Sequence, residues 1–238
     1  MFTFKKAYPV LLLLVFLSCS RNNTPAGKNC RVISETINDG TTVIKLKYEY
    51  NSDGKLSRSL RTGGYDDTVT YSYSGNKIFR EGASGGPHSF DTSTVNDAGF
   101  LLHGQSGTHT TDCVYDANGQ LVSYSQRWGS NPPQTSTFVF TNGDYTSSLG
   151  SDGSTDTLSY DLSKPASNVE EGELYRLTYG VYTIKSKHLL LSEKQVSNTG
   201  TFIANYSYQF DGNGNVSTIT IKNANNATTT ISFIYACQ

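Results

Sequence analysis

Apolar and polar residues alternate along most of this chain. Ile44, Leu46, Tyr48 and Tyr50 fall on one face of an extended segment, and Lys45, Lys47 and Glu49 fall on the other. Ile219 with Ile221, and Ile231 with Phe233 and Tyr235, repeat the pattern. A period of two marks a strand with one buried and one wet face, as in an antiparallel meander. The runs end in a recurring unit: Tyr48-x-Tyr50-Asn-Ser-Asp53-Gly54-Lys-Leu56, then Tyr71-x-Tyr73-Ser-Gly75-Asn76-Lys-Ile78. Further copies run from Val95 to Leu101, Val114 to Val122, Phe138 to Tyr145 and Tyr206 to Val216. Tyr-x-Tyr places both rings on one face, Asn-Gly and Asp-Gly accept the positive φ of tight hairpin turns, and the apolar residue after the turn is expected to pack on the rings across the hairpin.

A helix is hard to place. Glu170, Glu171 and Leu174 give residues 169–175 some helical character that Gly172 weakens, and residues 150–196 break the hairpin rhythm. The expected fold is all-β: one antiparallel meander of about ten to fourteen strands, curved or barrel-like, with little or no helix. Composition agrees. Sixteen Tyr, eleven Phe, twenty-two Gly and a single Met are the make-up of a sheet protein rather than a helical one.

The N-terminus reads as an export signal. Lys5 and Lys6 form a short positive region, Val10 to Leu17 an apolar core too short to span a bilayer, and Phe16-Leu17-Ser18-Cys19 occupies the cleavage position. That window resembles a lipobox, in its looser Leu-Ser-Cys-Ser form, which implies lipidation of Cys19 and cleavage before it. The expected organisation is a signal peptide over 1–18, a lipidated cysteine and polar tether over 19–29, and one β-rich domain over 30–238. Losing Lys5 and Lys6 turns nineteen basic and twenty acidic residues into seventeen and twenty, a net charge of −3. Such a chain has no electrostatic footprint for nucleic acid. Three cysteines remain after Cys19: Cys30 and Cys237 are a candidate disulfide between the domain's two ends, and Cys113 a buried free thiol.

The repeating hairpin is similar to the YD/RHS repeat of large secreted β-rich shells. The whole arrangement resembles a family of uncharacterised Bacteroidota lipoproteins with a lipobox, a first strand starting at cysteine and Tyr-x-Tyr-Asp-x-x-Gly-x-Leu hairpins. That family's Lys-Pro-Asn and Ser-Lys-Asn-Leu elements correspond to Lys164-Pro165-Ala166 and Ser186-Lys187-His188-Leu189, with Ala166 and His188 replacing the asparagines. The resemblance implies a barrel-like sheet and carries no catalytic residues. With no acidic cluster after Cys19, it also implies an outer-membrane lipoprotein, with a periplasm-facing position favoured over the cell surface.

Chemistry-bearing motifs are sparse. Gly82-Ala-Ser84-Gly-Gly86 matches a nucleophile-elbow pattern without the following helix that elbow needs. His103, His109, Asp112 and Cys113 cluster in sequence but read as loop histidines beside a buried cysteine, because Gly104 and Gly107 interrupt the run. Asp211-Gly-Asn213-Gly-Asn215 resembles half a calcium loop, yet the twelfth position is Lys222 rather than glutamate. No metal ligand set, cofactor motif or catalytic constellation is expected. Trp128, Tyr124 and Tyr145, in or near turn-rich segments, are the candidate ligand contacts, since an aromatic ring offers an apolar face with a polar edge. The functional expectation is a membrane-tethered, non-enzymatic binding or scaffold module of the cell envelope. Its partner would be the membrane through the lipid, together with a glycan or an envelope protein. An envelope hydrolase using His103, His109 or acidic loop residues, and a purely structural shell, are the alternatives.

Overall fold

A computed structural model describes residues 30–83, 89–166 and 184–237. The signal, Cys19, the tether, the Gly-x-Ser-x-Gly serine and the weakly helical stretch lie outside the described residues. Sixteen strands follow one another: β1 Cys30–Asn38, β2 Val43–Tyr50, β3 Leu56–Thr62, β4 Asp67–Ser74, β5 Lys77–Ala83, β6 Ser89–Val95, β7 Leu101–Ser106 and β8 His109–Tyr115 come first. The second half is β9 Leu121–Trp128, β10 Gln134–Thr141, β11 Asp144–Gly150, β12 Thr155–Pro165, β13 His188–Ser197, β14 Gly200–Phe210, β15 Val216–Asn223 and β16 Thr228–Cys237. Each pairs antiparallel with its sequence neighbours, and β1 pairs with β16, so the meander is a closed barrel. The expectation of ten to fourteen strands is corrected upward to sixteen. The excess arises because several hairpins turn in two residues and the strands are short, so more of them fit the same length.

Cys30 lies opposite Cys237 at the β1–β16 seam, and the two are joined in a disulfide. It adds a covalent link to a seam that the backbone ladder already closes.

The hairpin turns share one construction. Asn51, Asn96, Asp116, Asp211 and Asn223 each accept, through the side chain, one or two backbone N–H groups further along the same turn. The residue three positions on is Gly54, Gly99, Gly119, Gly214 or Asn226, and every one has positive φ. This accounts for the repeated Asx-x-x-Gly spacing. It also spends the carboxylate of the calcium-like loop: Asp211 Oδ1 accepts from Asn213 N and Asn215 N, and Oδ2 from Asn215 Nδ2.

The register slips just after the turns at Asn51, Asn96, Asp116 and Asp211, and at the same end of three further odd strands. Ile33, Ser57, Leu102, Val122, Thr146, Leu191 and Ser217 are extra residues in β1, β3, β7, β9, β11, β13 and β15, each near that strand's start. Bulges bend and twist a strand, and repeating them at one level of successive hairpins curves the sheet towards closure.

Cross-strand partners share a face, and the buried face is the interior, because no second layer covers the outside among the described residues. Leu56, Leu121, Leu189 and Val216, each among the first residues of its strand, are fully buried there. The tyrosines reach further than the sequence implies. Tyr50 donates its hydroxyl to Val32 O, Tyr73 to Leu56 O, Tyr160 to Tyr145 O, Tyr208 to Leu190 O and Tyr235 to Val216 O. Each ring therefore ties an even strand to the start of the odd strand before it, and Tyr50, Tyr73 and Tyr208 also pack in the clusters that hold Leu56, Ile78 and Val216, the apolar residues after their own turns.

Leu56→Ala is expected to cost about 2–5 kcal/mol in chemical unfolding, because it empties a buried site. Tyr73→Phe removes only the hydroxyl bond to Leu56 O and is expected to cost about 1 kcal/mol. Removing the outward, 60 % exposed Ile234 side chain by Ile234→Ala is expected to change stability by less than about 0.5 kcal/mol. A loss like that of Leu56→Ala would mean that inside and outside are assigned the wrong way round.

Candidate functional site in the barrel lining

The barrel has two unlike ends. At the turn end, near Cys30 and Cys237, the lining is apolar: Ile78, Leu101, Cys113 and Leu121 form a cluster that Tyr73, Tyr115, Phe138 and Phe140 extend. Ile184, on the limb leading into β13, packs against the same cluster. That limb is pinned by Asp144, only 2 % exposed, at the start of β11. The Asp144 carboxylate accepts Lys187 N and His188 N through one oxygen and His188 Nδ1, at 2.7 Å, through the other. Ser186 Oγ accepts Tyr145 N and donates to the Tyr160 hydroxyl. Asp144 and His188 have the geometry of an acid-oriented imidazole, but the adjacent serine is committed to two structural bonds. The constellation works as an anchor that draws the β12–β13 connection onto the lining. A cleft of about 450 Å³ also opens at this end, between the turns around Gly54, Gly75 and Asn96. Two of its polar groups are occupied: Lys55 Nζ lies over the Tyr73 ring, and Asn96 Oδ1 holds its own turn.

Away from the turn end the lining becomes polar. Glu35 accepts the Tyr48 hydroxyl at 2.6 Å, Glu193 that of Tyr206 at 2.9 Å, and Asp156 that of Tyr145 at 3.2 Å together with Ser148 Oγ. Burial pushes the Glu35 carboxyl above the ordinary glutamate range, and the bond from Tyr48 only partly offsets this. The same burial, with Glu35 beside it, pushes the Tyr48 hydroxyl up.

Across β5–β9 one continuous row of inward residues runs through directly opposed positions: Arg80, Asp91, Ser106, His109 and Trp128. Arg80 and Asp91 form an ion pair at 2.9 Å, with both side chains only about a fifth exposed. His109 and Trp128 stack with ring centroids 3.7 Å apart and planes at 11°. Asp67 Oδ1, Asp91 Oδ1, His109 Nε2, Asp156 Oδ1 and Arg61 Nε are buried without a hydrogen-bond partner. Each such group typically costs about 1–3 kcal/mol. Their collection on one lining is a burden that folding alone does not call for.

The sequence candidates separate in space. Trp128 is 55 % exposed, at the very end of β9. Tyr124, on the same inward face, is half-buried and accepts a hydrogen bond from Gln126 Nε2. Tyr145 is corrected as a ligand contact: it is 5 % exposed, with its ring against Phe138 and Phe140, because it lies opposite the inward-facing Phe140 on β10. His103 and His109 are not loop residues. Strand β7 continues through Gly104, where a side chain would meet only ordinary contacts, so the glycine does not break it. His103 pairs with Asp112 at 2.7 Å on the outer wall, while His109 faces inward. Cys113 is buried, and burial pushes its thiol up to about 12, which leaves it protonated and inert at neutral pH. The row itself was invisible in the sequence, since its members are spread over five strands and meet only through register.

No family model and no curated protein matches this chain. Among solved structures it is similar to a porin-like protein from Bacteroides uniformis, with a TM-score of 0.62 at 14 % identity over 86 % of this chain and 98 % of that one. A porin-like protein from Bacteroides vulgatus matches over 84 % of this chain and 86 % of that one, with a TM-score of 0.31 at 13 % identity. The first likeness shows the fold: a closed, all-antiparallel, porin-like barrel.

Two variants test the lining. Asp144→Ala strands two backbone N–H groups and an imidazole, and is expected to destabilise the barrel by about 3 kcal/mol in thermal or denaturant unfolding. Glu35 has a raised folded pKa, so its contribution to stability is fully present below the unfolded value and is lost as pH rises through the folded value. Glu35→Gln keeps an acceptor for Tyr48 and removes that loss. It is expected to be more stable than the parent at neutral pH, and its stability should fall less as pH rises from about 4. Parallel stability–pH curves would show that Glu35 does not carry the effect.

Proposed function

We propose that this protein is a lipid-tethered cell-envelope lipoprotein whose barrel stands in water and serves as a non-enzymatic binding module. The observation that carries the reading is the polarity of the wall. A barrel that crosses a membrane turns an apolar band about 25 Å tall towards lipid. Here the exposed outer positions around mid-height include Lys45, Lys47, Arg58, Thr70, Ser72, Asp112, Thr137, Thr157, Lys194, Asn205, Ser207 and Ser232, with the apolar Val139, Leu149 and Ile203 scattered singly among them. Charged and hydroxylated side chains at that level suit water, so attachment falls to the lipid on Cys19 rather than to the barrel wall. The tether enters at Cys30, at the turn end where Ile184 and the tyrosine rings fill the lining. Ligand access is thereby assigned to the opposite mouth, which faces away from the membrane. The resemblance of residues 16–19 to a lipobox and the likeness to a porin-like barrel support an anchor in the outer membrane, and the missing acidic cluster after Cys19 favours the periplasmic side over the cell surface.

Cys19→Ala is the test. The parent is expected to incorporate labelled palmitate and to stay with envelope membranes through a carbonate wash. The variant is expected to lose the label and appear in the soluble envelope fraction. Retention of the unlabelled variant in carbonate-washed membranes would mean that the barrel itself is embedded, and would overturn the reading.

A further inference from the structure

Trp128 is the one tryptophan of the chain, and packing does not account for it. It is more than half exposed although it occupies an inward register position, because β9 ends there and the ring emerges at the mouth remote from the tether. The ring is nevertheless held firmly. His109 covers one face in a near-parallel stack. The backbone on either side is fixed by Gly129 N donating to Thr108 O and Asn131 N donating to Trp128 O. An indole with one face backed by an imidazole and the other turned to solvent is a preorganised flat apolar surface.

We propose that Trp128 and the row behind it form a subsite for a neutral saccharide. The proposal deepens the reading of the barrel as a binding module by naming its ligand class. The indole face suits the C–H face of a pyranose ring. Its surroundings are hydrogen-bonding groups with little charge to select an ion. Gln126 and Gln134 lie opposite each other on β9 and β10, and Ser106 lies opposite His109. The charges deeper in the row, Arg80 and Asp91, neutralise one another. Strand spacing of about 4.8 Å makes the row from Trp128 to Arg80 about 19 Å long, room for a short oligosaccharide rather than a single sugar. Asp91 Oδ1, an acceptor, and His109 Nε2, a donor or an acceptor according to the tautomer, are buried and unpartnered, and sugar hydroxyls or bridging waters, which can both give and take a hydrogen bond, would satisfy them once the row opens to a ligand.

Because Trp128 is the only tryptophan, intrinsic fluorescence of the full-length lipoprotein in detergent reads the site directly. Soluble neutral oligomers of glucose, mannose and N-acetylglucosamine are the probes, with glucosamine and glucuronate oligomers as charged counterparts. At least one neutral oligomer is expected to give a saturable emission change, with longer oligomers binding more tightly than the monosaccharide. By calorimetry, Trp128→Ala is expected to abolish that binding, Trp128→Phe to weaken it about tenfold, and Leu149→Ala, elsewhere on the outer wall, to leave it unchanged. Circular dichroism establishes that each variant is folded. Response to the charged oligomers alone, binding that survives Trp128→Ala, or no saturable response to any neutral oligomer would each overturn the proposal. The Cys19→Ala fractionation is read separately, so a failed tether and a failed saccharide site give different results.

Discussion

The rest of this structure depends on how a sixteen-strand ring fills its interior. Barrels of that size ordinarily enclose a water-filled channel, because aliphatic side chains are too short to meet across it. This chain lines one end with tyrosine. The ring spans the space that leucine leaves, and the hydroxyl finds a backbone carbonyl on the neighbouring strand, as Tyr50, Tyr73, Tyr160, Tyr208 and Tyr235 all do. The bond satisfies a polar atom at the end of a buried ring, and it sets the distance between successive hairpins. Bulges beside the same residues bend the sheet, so filling and curvature arise at the same level of the barrel.

From that arrangement follows the division between the two ends. The tyrosine end holds Cys30, Cys237 and the limb anchored by Asp144, so it is the packed base. Beyond it the lining trades rings for carboxylates, arginines and amides, and Asp67, Asp91 and Asp156 each keep one oxygen buried without a hydrogen-bond partner. The middle of the outer wall carries lysine, serine and threonine with single exposed apolar residues, Val139, Leu149 and Ile203, among them. Fold and surface thus point in different directions. The backbone matches a porin-like barrel, while its outer face mixes charged and hydroxylated residues with exposed apolar ones such as Val139, Leu149 and Ile234 instead of forming a uniformly apolar band. A shared backbone does not carry a shared environment, because the environment is set by side chains whose identity the backbone does not constrain.

The strand alternation, the Asx-x-x-Gly turns and the all-β class could be read directly from local residues, since each depends on contacts within one hairpin. That Cys30 and Cys237 would meet could be posed from their places at the two ends of the domain, and Trp128 could be singled out as the lone tryptophan beside a Gly-Ser-Asn-Pro-Pro loop. Closure, strand number and the reach of each tyrosine to the strand before its own could not, because they depend on register summed around the whole ring. Tyr145 shows the limit. Beside a tight turn its sequence context resembles that of an exposed aromatic, and only the inward direction of β11 makes it core.

What the sequence determined by itself was therefore local: which residues form strands, where they turn and which face is apolar. Only the tertiary structure decided what lies together. Arg80, Asp91, Ser106, His109 and Trp128 are neighbours because consecutive antiparallel strands place distant residues opposite one another. That alignment is fixed by turn lengths and bulges accumulated along the barrel, and a period-two pattern, which is the same at every register that keeps the faces, does not contain it.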